Sequence, residues 1–153
     1  MSLNQLYSAY LGELYGIAFF TAFAKKYSDD THIKKWQLLI QIEQITAQKL
    51  QSGLDAVGLS CPENDLAMQN KGEQDAEKWL DLPWNDLINT LLPWVAPYAQ
   101  KYQEQAATAT EHHELFNLVQ QHEDAIYAFL QAEQQSTGSG VSILETFISD
   151  QYQ

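Results

Sequence analysis

The spacing of apolar residues constrains the fold of this chain more than any other feature. In four segments, apolar residues recur every three or four positions, which is the repeat of an amphipathic α-helix. No segment shows the sustained alternation of apolar and polar residues that is typical of a β-strand, and no segment is repeated. The pattern predicts helices over about residues 3–27, 31–56, 84–107 and 110–135. We therefore predict an all-α protein.

The connections between these helices predict how they are arranged. Residues 57–83 have weak periodicity and contain Gly and Pro, which predicts a long crossover with a short helix near residues 76–80. Polar residues 28–31 are expected to end the first helix and cap the second. Residues 141–148 predict a short C-terminal helix. The result is two antiparallel helical hairpins joined by a long crossover, the connectivity of some four-helix bundles.

The second hairpin contains two points that the pattern leaves open. Pro93 and Pro97 lie inside the third helix and are expected to kink or break it. Residues 108–111 have the pattern of a capping box, which predicts a turn before the fourth helix. That turn contains neither Gly nor Pro, so a continuous helix through it is the alternative.

Charge excludes several classes of function. The chain of 153 residues has the length of a single domain, and its 20 acidic residues against eight lysines give a net charge of −12. It contains no arginine. A nucleic-acid partner requires a cationic surface, and phosphate substrates are usually held by Arg or a glycine-rich loop. We therefore expect no nucleic-acid partner.

The single cysteine and the N-terminal segment bear on location. Cys61 has no second cysteine with which to form a disulfide or a CxxC pair, which favours a reducing compartment. The apolar run 14–24 is preceded by Glu13 rather than by lysines, and it is shorter than the roughly 20 residues of a transmembrane helix. We expect a cytoplasmic protein with no membrane partner.

Two glutamates interrupt the apolar faces of the first hairpin. Glu43 occupies a position where Leu or Ile would continue the face of the second helix, and Glu13 lies at the edge of the face of the first. With the hairpin turn centred on Ser28, both carboxylates lie about 22 Å from the turn, at a rise of about 1.5 Å per residue. Equal heights favour two carboxylates that face each other inside the bundle.

Two buried carboxylates that face each other would need a compensating interaction. Two carboxylates in an apolar core repel each other and lose hydration unless a cation, a proton or hydrogen-bond donors offset the cost. The alternative is that the helices rotate and Glu13 reaches the surface or accepts a hydrogen bond from a tyrosine.

The fourth helix shows the same kind of interruption. His122 lies within its apolar face, four residues after Leu118 and four before Ile126. A single histidine on an apolar face is more often a hydrogen-bonded core residue than a metal ligand, but two glutamates accompany this one. Glu123, about 100° further around the helix, could reach the same centre or face solvent.

These residues together resemble a known family. Glu13 in the first helix, Glu43 in the second and His122-Glu123 within LVQQHEDAIYAFLQAE are similar to the ferritin-like superfamily, closer to rubrerythrin-like and other bacterial ferritin-like proteins than to ferritin cages. The resemblance covers about residues 3–135. It implies a ferritin-like four-helix bundle with a metal site in the core.

The resemblance also implies a ligand set, which this chain meets only in part. Diiron members of the superfamily take one Glu from each of two helices and a Glu-x-x-His motif from each of the other two. Glu13 and Glu43 match two of the glutamates and His122 one of the histidines, whereas Thr46 and Val119 stand where a second histidine and another glutamate are expected. The third helix offers no carboxylate at the matching height, so a full diiron centre is not expected.

Two hypotheses follow. In the first, Glu13, Glu43, His122 and Glu123 hold a single Fe, Mn or Zn ion, with Thr46 and Tyr98 beside the ligands. In the second, no metal is bound, the same residues form a hydrogen-bonded network, and the bundle is a binding or dimerisation module. We expect a homodimer in either case. The sequence does not identify a ligand or decide whether the protein is an enzyme.

Overall fold

The computed structural model describes residues 2–27 and 31–152, and within them it is helical without a single strand. The prediction of an all-α chain is confirmed. The helices are α1 (Ser2–Lys26), α2 (Ile33–Ala56), α3 (Leu66–Glu77), α4 (Trp84–Thr108), α5 (His113–Gln134) and α6 (Gly140–Asp150). They group into two compact units, Met1–Leu80 with α1 to α3 and Asp81–Gln153 with α4 to α6.

Helices α1 and α2 pack as an antiparallel hairpin. The ring of Phe23 stacks on that of Trp36 with 4.9 Å between centroids. Seven residues earlier on α1 and seven later on α2, Gly16 lies against Glu43. A step back along one helix therefore matches a step forward along the other, which fixes the register of the pair. Of the polar residues 28–31, predicted to cap α2, Ser28–Asp30 lie outside the described residues, and the residue at the cap position is His32 rather than Thr31, without a capping hydrogen bond from its side chain.

Aromatic packing near the end of α1 and the start of α2 supplies much of the core of this hairpin. Phe19, Phe23 and Trp36 are almost fully buried. Phe19 meets Phe23 edge-on at 5.0 Å, a geometry in which the electron-rich face of one ring meets the positive edge of another. Each buried aromatic or aliphatic side chain of this kind contributes on the order of 1.5–3 kcal/mol through loss of apolar surface to water.

The crossover contains a longer helix than the sequence predicts. Helix α3 spans Leu66–Glu77, whereas a short helix near residues 76–80 was expected. Asp65 starts α3, because its side chain accepts a hydrogen bond from the backbone N–H of Met68 at 3.0 Å. Only Gly72 and Ala76 of α3 are buried. A helix with so small an apolar face produces little periodicity, which is why the pattern missed it.

Helix α3 lies directly on α1. A Cβ atom added to Gly72 would lie 2.6 Å from the backbone oxygen of Tyr15, so the two helices touch at backbone distance. The Tyr15 hydroxyl donates a hydrogen bond to Asp75 at 2.6 Å. Glycine at position 72 and this hydrogen bond together fix α3 on the outer side of α1.

The second unit is a hairpin with an additional helix. Asn89 near the start of α4 accepts a hydrogen bond from the Gln134 side chain at the end of α5, as antiparallel neighbours require. Helix α6 returns along α5: Gly140 lies against the Phe129 ring, and seven residues further on Phe147 meets His122. The C-terminal helix predicted over 141–148 is confirmed, with slightly wider bounds.

Two local predictions in this unit need correction. Helix α4 is not broken at Pro93 or Pro97, both of which are exposed. The chain does leave the helix after Thr108, as predicted, but Thr108 does not cap α5. Its hydroxyl donates back to the Glu104 carbonyl, and α5 begins after His112, whose φ is 56°.

Candidate metal centre

Glu43 projects from the middle of α2 onto α1. Its side chain is 5% exposed. A Cβ atom at Gly16 would lie 2.5 Å and 2.8 Å from the two carboxylate oxygens of Glu43, closer than real Cβ atoms approach. The carboxylate thus occupies the space that any other residue at position 16 would fill. Position 16 is the feature that the sequence analysis did not single out.

Glu13 lies one turn before Gly16 on the same helix. It is 3% exposed, so the alternative in which it reaches the surface is wrong. Two nearby tyrosine hydroxyls are directed elsewhere, since Tyr10 donates to the Pro62 carbonyl and Tyr15 to Asp75. Both glutamates therefore turn inward, as the interrupted apolar faces predict.

The register of the hairpin corrects the predicted heights. Gly16, not Glu13, lies opposite Glu43, and the same register puts Glu13 opposite Thr46. The register is centred one to two residues later than Ser28, which accounts for the difference. The two glutamates are offset by about one helical turn, roughly 4.5 Å along the axis at a rise of about 1.5 Å per residue.

Thr46 is fully buried one turn after Glu43. Its hydroxyl makes no hydrogen bond within the part of the chain that the structure describes. Buried hydroxyl groups are almost always hydrogen-bonded, since leaving one without a partner costs about 1–3 kcal/mol. Thr46 thus carries unused hydrogen-bonding capacity beside Glu43.

His122 lies near the middle of α5. Its side chain is fully buried, and its ring packs at 53° to that of Phe147 with 6.2 Å between centroids. The nearest carboxylate oxygen of Glu123 lies 4.0 Å from its Nε2 atom. That distance is too long for a hydrogen bond but short enough for the charge of Glu123 to act on the imidazole.

The other predicted participant, Tyr98, lies elsewhere. It is 45% exposed and its ring packs against that of Trp94, so its position does not favour a role beside a buried ligand. The side chains that α4 buries are all apolar: Leu87, Ile88, Leu91 and Val95. This agrees with the prediction that the third helix of the two hairpins supplies no carboxylate.

Burial separates the candidate residues from all other polar residues. Within residues 2–27 and 31–152, four polar or charged side chains are buried: Glu13, Glu43, Thr46 and His122. No lysine among the described residues is buried with the two carboxylates. Desolvation of a carboxylate is expensive unless a positive charge, a proton or hydrogen bonds compensate it, and a cation bound by these residues would supply such compensation.

Comparison with family models, with curated proteins and with solved structures finds no match. Carboxylate oxygens and an imidazole nitrogen are ligands that suit Fe, Mn and Zn. Among the described residues, no helix combines the length and the apolar character needed to cross a membrane.

Proposed function

We propose that Glu13, Glu43 and His122 bind one divalent transition-metal ion. The observation that carries the proposal is that these residues, with Thr46, are the buried polar side chains among the described residues. Two oxygen ligands and one nitrogen ligand suit Fe, Mn or Zn.

The residues around the ligands support the proposal. Gly16 provides the room that the Glu43 carboxylate needs, and the unused hydroxyl of Thr46 is suited to a hydrogen bond with water in the coordination shell. Glu123 acts on His122 through its charge at 4.0 Å. Thr46 and Glu123 are thus proposed as positioning residues.

Three protein ligands leave positions open on the ion. Structural zinc sites usually have four protein ligands, whereas catalytic sites keep a position for water or substrate. A bound ion of this kind supplies Lewis acidity, and redox chemistry if it is Fe or Mn. We therefore favour a site that binds an exogenous small molecule over a purely structural one.

We infer that the two hairpins form a ferritin-like four-helix bundle. The order of the helices, the long connection between the hairpins and the glutamates in the first two helices support this inference. The single cysteine supports our proposal that the protein functions in a reducing cytoplasm.

A second candidate function is dimerisation without metal, which a specific feature of α4 favours. Residues 87–100 form the longest uncharged run of a chain with a net charge of −12. Pro93, Pro97 and Tyr98 of this run are exposed. Two copies of a strongly acidic chain can approach most easily through an uncharged face, so we propose that this face of α4 joins two copies.

Metal content tests the first proposal. Elemental analysis of untagged protein after reconstitution with Fe, Mn or Zn should find about one equivalent of one of these ions per chain. Glu43→Gln should lose most of it, because the amide keeps the shape but not the charge of the ligand. His113→Ala, which removes an exposed histidine, is the matched control and should retain the ion.

Stability provides a second measurement. Chelation should lower the melting temperature of the wild type but not that of Glu43→Gln, because an ion that binds only the folded state stabilises it. Substoichiometric metal in the wild type, together with no effect of chelation, would contradict the proposal and favour the metal-free module.

A further inference from the structure

A groove runs along the outer side of the first unit, between α1 and the segment formed by α3 and the residues just before it. We call it the α1–α3 groove; its volume is about 730 Å³. Its α1 side presents Leu14, Ile17, Ala18 and Ala22, all half-buried. From Leu14 to Lys25 this side is about 16 Å long at roughly 1.5 Å per residue. The groove is thus apolar along one side and three turns of helix in length.

The opposite side of the groove is acidic. Gln69, Glu73 and Glu77 lie four residues apart along α3 and therefore form one row facing the groove. Glu63 adds a further carboxylate before the start of α3. Lys25 and Lys26 line the groove at the C-terminal end of α1. The groove therefore has a negative side and a positive end.

The lysines of α3 do not neutralise this acidic row. Lys78 forms an ion pair with Asp75 at 3.0 Å, and Lys71 lies over the Tyr15 ring at 5.8 Å. Glu63, Glu73 and Glu77 make no ion pair with a lysine within residues 2–27 and 31–152. Their charge is available to a partner.

We propose that the α1–α3 groove binds an amphipathic helix of another protein that carries basic residues along one edge of its apolar face. Helices commonly bind such grooves through apolar side chains at positions i, i+3, i+4 and i+7. Lysines or arginines four residues apart on the partner would match Glu73 and Glu77, as flanking charges do in paired helices. An acidic residue at one end would meet Lys25, which sets the direction of the bound helix.

A second copy of this chain does not fit the groove. The eight lysines are Lys25, Lys26, Lys34, Lys35, Lys49, Lys71, Lys78 and Lys101. No two of them are three or four residues apart, and the chain has no arginine. None of its helices therefore presents basic residues four positions apart to match Glu73 and Glu77, so the proposed partner is a different protein.

A synthetic peptide tests the proposal. The probe is a fluorescein-labelled helical peptide of about 18 residues, or five turns, built from Leu, Ala and Lys, with Leu along one face and Lys four residues apart along its edge. Fluorescence anisotropy should show saturable binding to the wild-type protein. The double variant Glu73→Gln/Glu77→Gln should bind about tenfold more weakly, as expected for the loss of two exposed ion pairs.

Two controls separate the groove from net charge. Glu111→Gln/Glu114→Gln removes the same charge from exposed positions near the start of α5 and should leave binding unchanged. Ala22→Leu leaves the charge intact but fills the apolar side, and it should weaken binding even in high salt. Circular dichroism should show that all variants are folded as the wild type is.

Three results would overturn the proposal. These are equal losses in both double variants, equal binding of a scrambled peptide of the same composition, and unchanged binding of Ala22→Leu. Each would show that the peptide recognises the acidity of the protein rather than the groove.

Discussion

The carboxylate of Glu43 lies against the backbone of Gly16, in the space where any side chain at position 16 would begin. Glycine within a helix is unfavourable by about 1 kcal/mol relative to alanine, so it needs a structural reason. Here the reason is a buried carboxylate from the neighbouring helix. The glycine and the glutamate therefore form one structural unit of the candidate metal centre.

Gly16→Ala should separate folding from metal binding. The added methyl group clashes with the end of a flexible side chain, so Glu43 can rotate away, and the gain in helix propensity offsets part of the strain. We expect the free energy of unfolding without metal to change by less than about 1 kcal/mol. Metal affinity should fall at least about tenfold, the factor that 1.4 kcal/mol of lost ligand geometry produces.

Gly12→Ala is the matched control for this variant, because Gly12 is exposed on the same helix. It should stabilise the protein by up to about 1 kcal/mol and leave metal binding unchanged. Isothermal titration with Zn²⁺ and chemical denaturation measure the two quantities. Unaltered Zn²⁺ affinity in Gly16→Ala would show that the position of Glu43 against Gly16 has no role in metal binding.

The sequence predicted the burial of the candidate residues better than their relative heights. Glu13, Glu43 and His122 were identifiable because each interrupts an apolar helical face, and a polar group within such a face is buried unless the helix rotates. The heights of Glu13 and Glu43 required the centre of the hairpin register, which periodicity alone does not give. Gly16 could have been suspected as a glycine one turn after Glu13 in a long helix.

The fold, too, was predictable from the sequence only in part. The four long helices were predictable because their apolar faces are wide, whereas α3 was misplaced because it buries only Gly72 and Ala76. Its start depends on one capping contact between Asp65 and Met68. Such contacts are visible only once the neighbouring residues are positioned.

Gly72→Ala should destabilise the first unit. Unlike the case of Gly16, the nearest atom is a backbone oxygen, that of Tyr15 at 2.6 Å, which cannot rotate away. The contact between α1 and α3 must then open, at a cost of roughly 1–3 kcal/mol. Chemical denaturation measures this loss, and Gly12→Ala again serves as the control. Equal stabilities of the Gly72→Ala variant and the wild type would show that α3 is not held at this distance.

Asp75 should make stability depend on acid pH. Burial raises the pKa of its carboxyl group, but hydrogen bonds from Tyr15 and Lys78 and the charges of Lys78 and Lys71 together lower it by more, so the net pKa lies below its ordinary value of 3.8. The folded state thus prefers ionised Asp75. This stabilisation is complete above about pH 3.8, the unfolded-state value, and is lost as the pH falls through the lower folded-state pKa.

Asp75→Asn isolates this contribution. At pH 7 the variant should be less stable than the wild type by about 1 kcal/mol, because a charge-assisted hydrogen bond is weakened. Below about pH 4 the difference should shrink as Asp75 of the wild type becomes protonated. Denaturation at a series of pH values measures both, and a difference that stays constant down to pH 2 would contradict the assigned role of the ionised carboxylate.

Tyr98→Glu should dissociate the homodimer that we propose through α4. Tyr98 and Trp94 pack edge-on with 6.0 Å between centroids and expose an aromatic surface within the uncharged run 87–100. A glutamate there would bring like charges together across an interface between two copies, which is destabilising. Tyr152→Glu adds the same charge at a residue that is 73% exposed, and it serves as the matched control. Sedimentation velocity should show a monomer for Tyr98→Glu and a dimer for the wild type and for Tyr152→Glu. If the wild type is a monomer, or if Tyr98→Glu is still a dimer, this face of α4 does not join two copies.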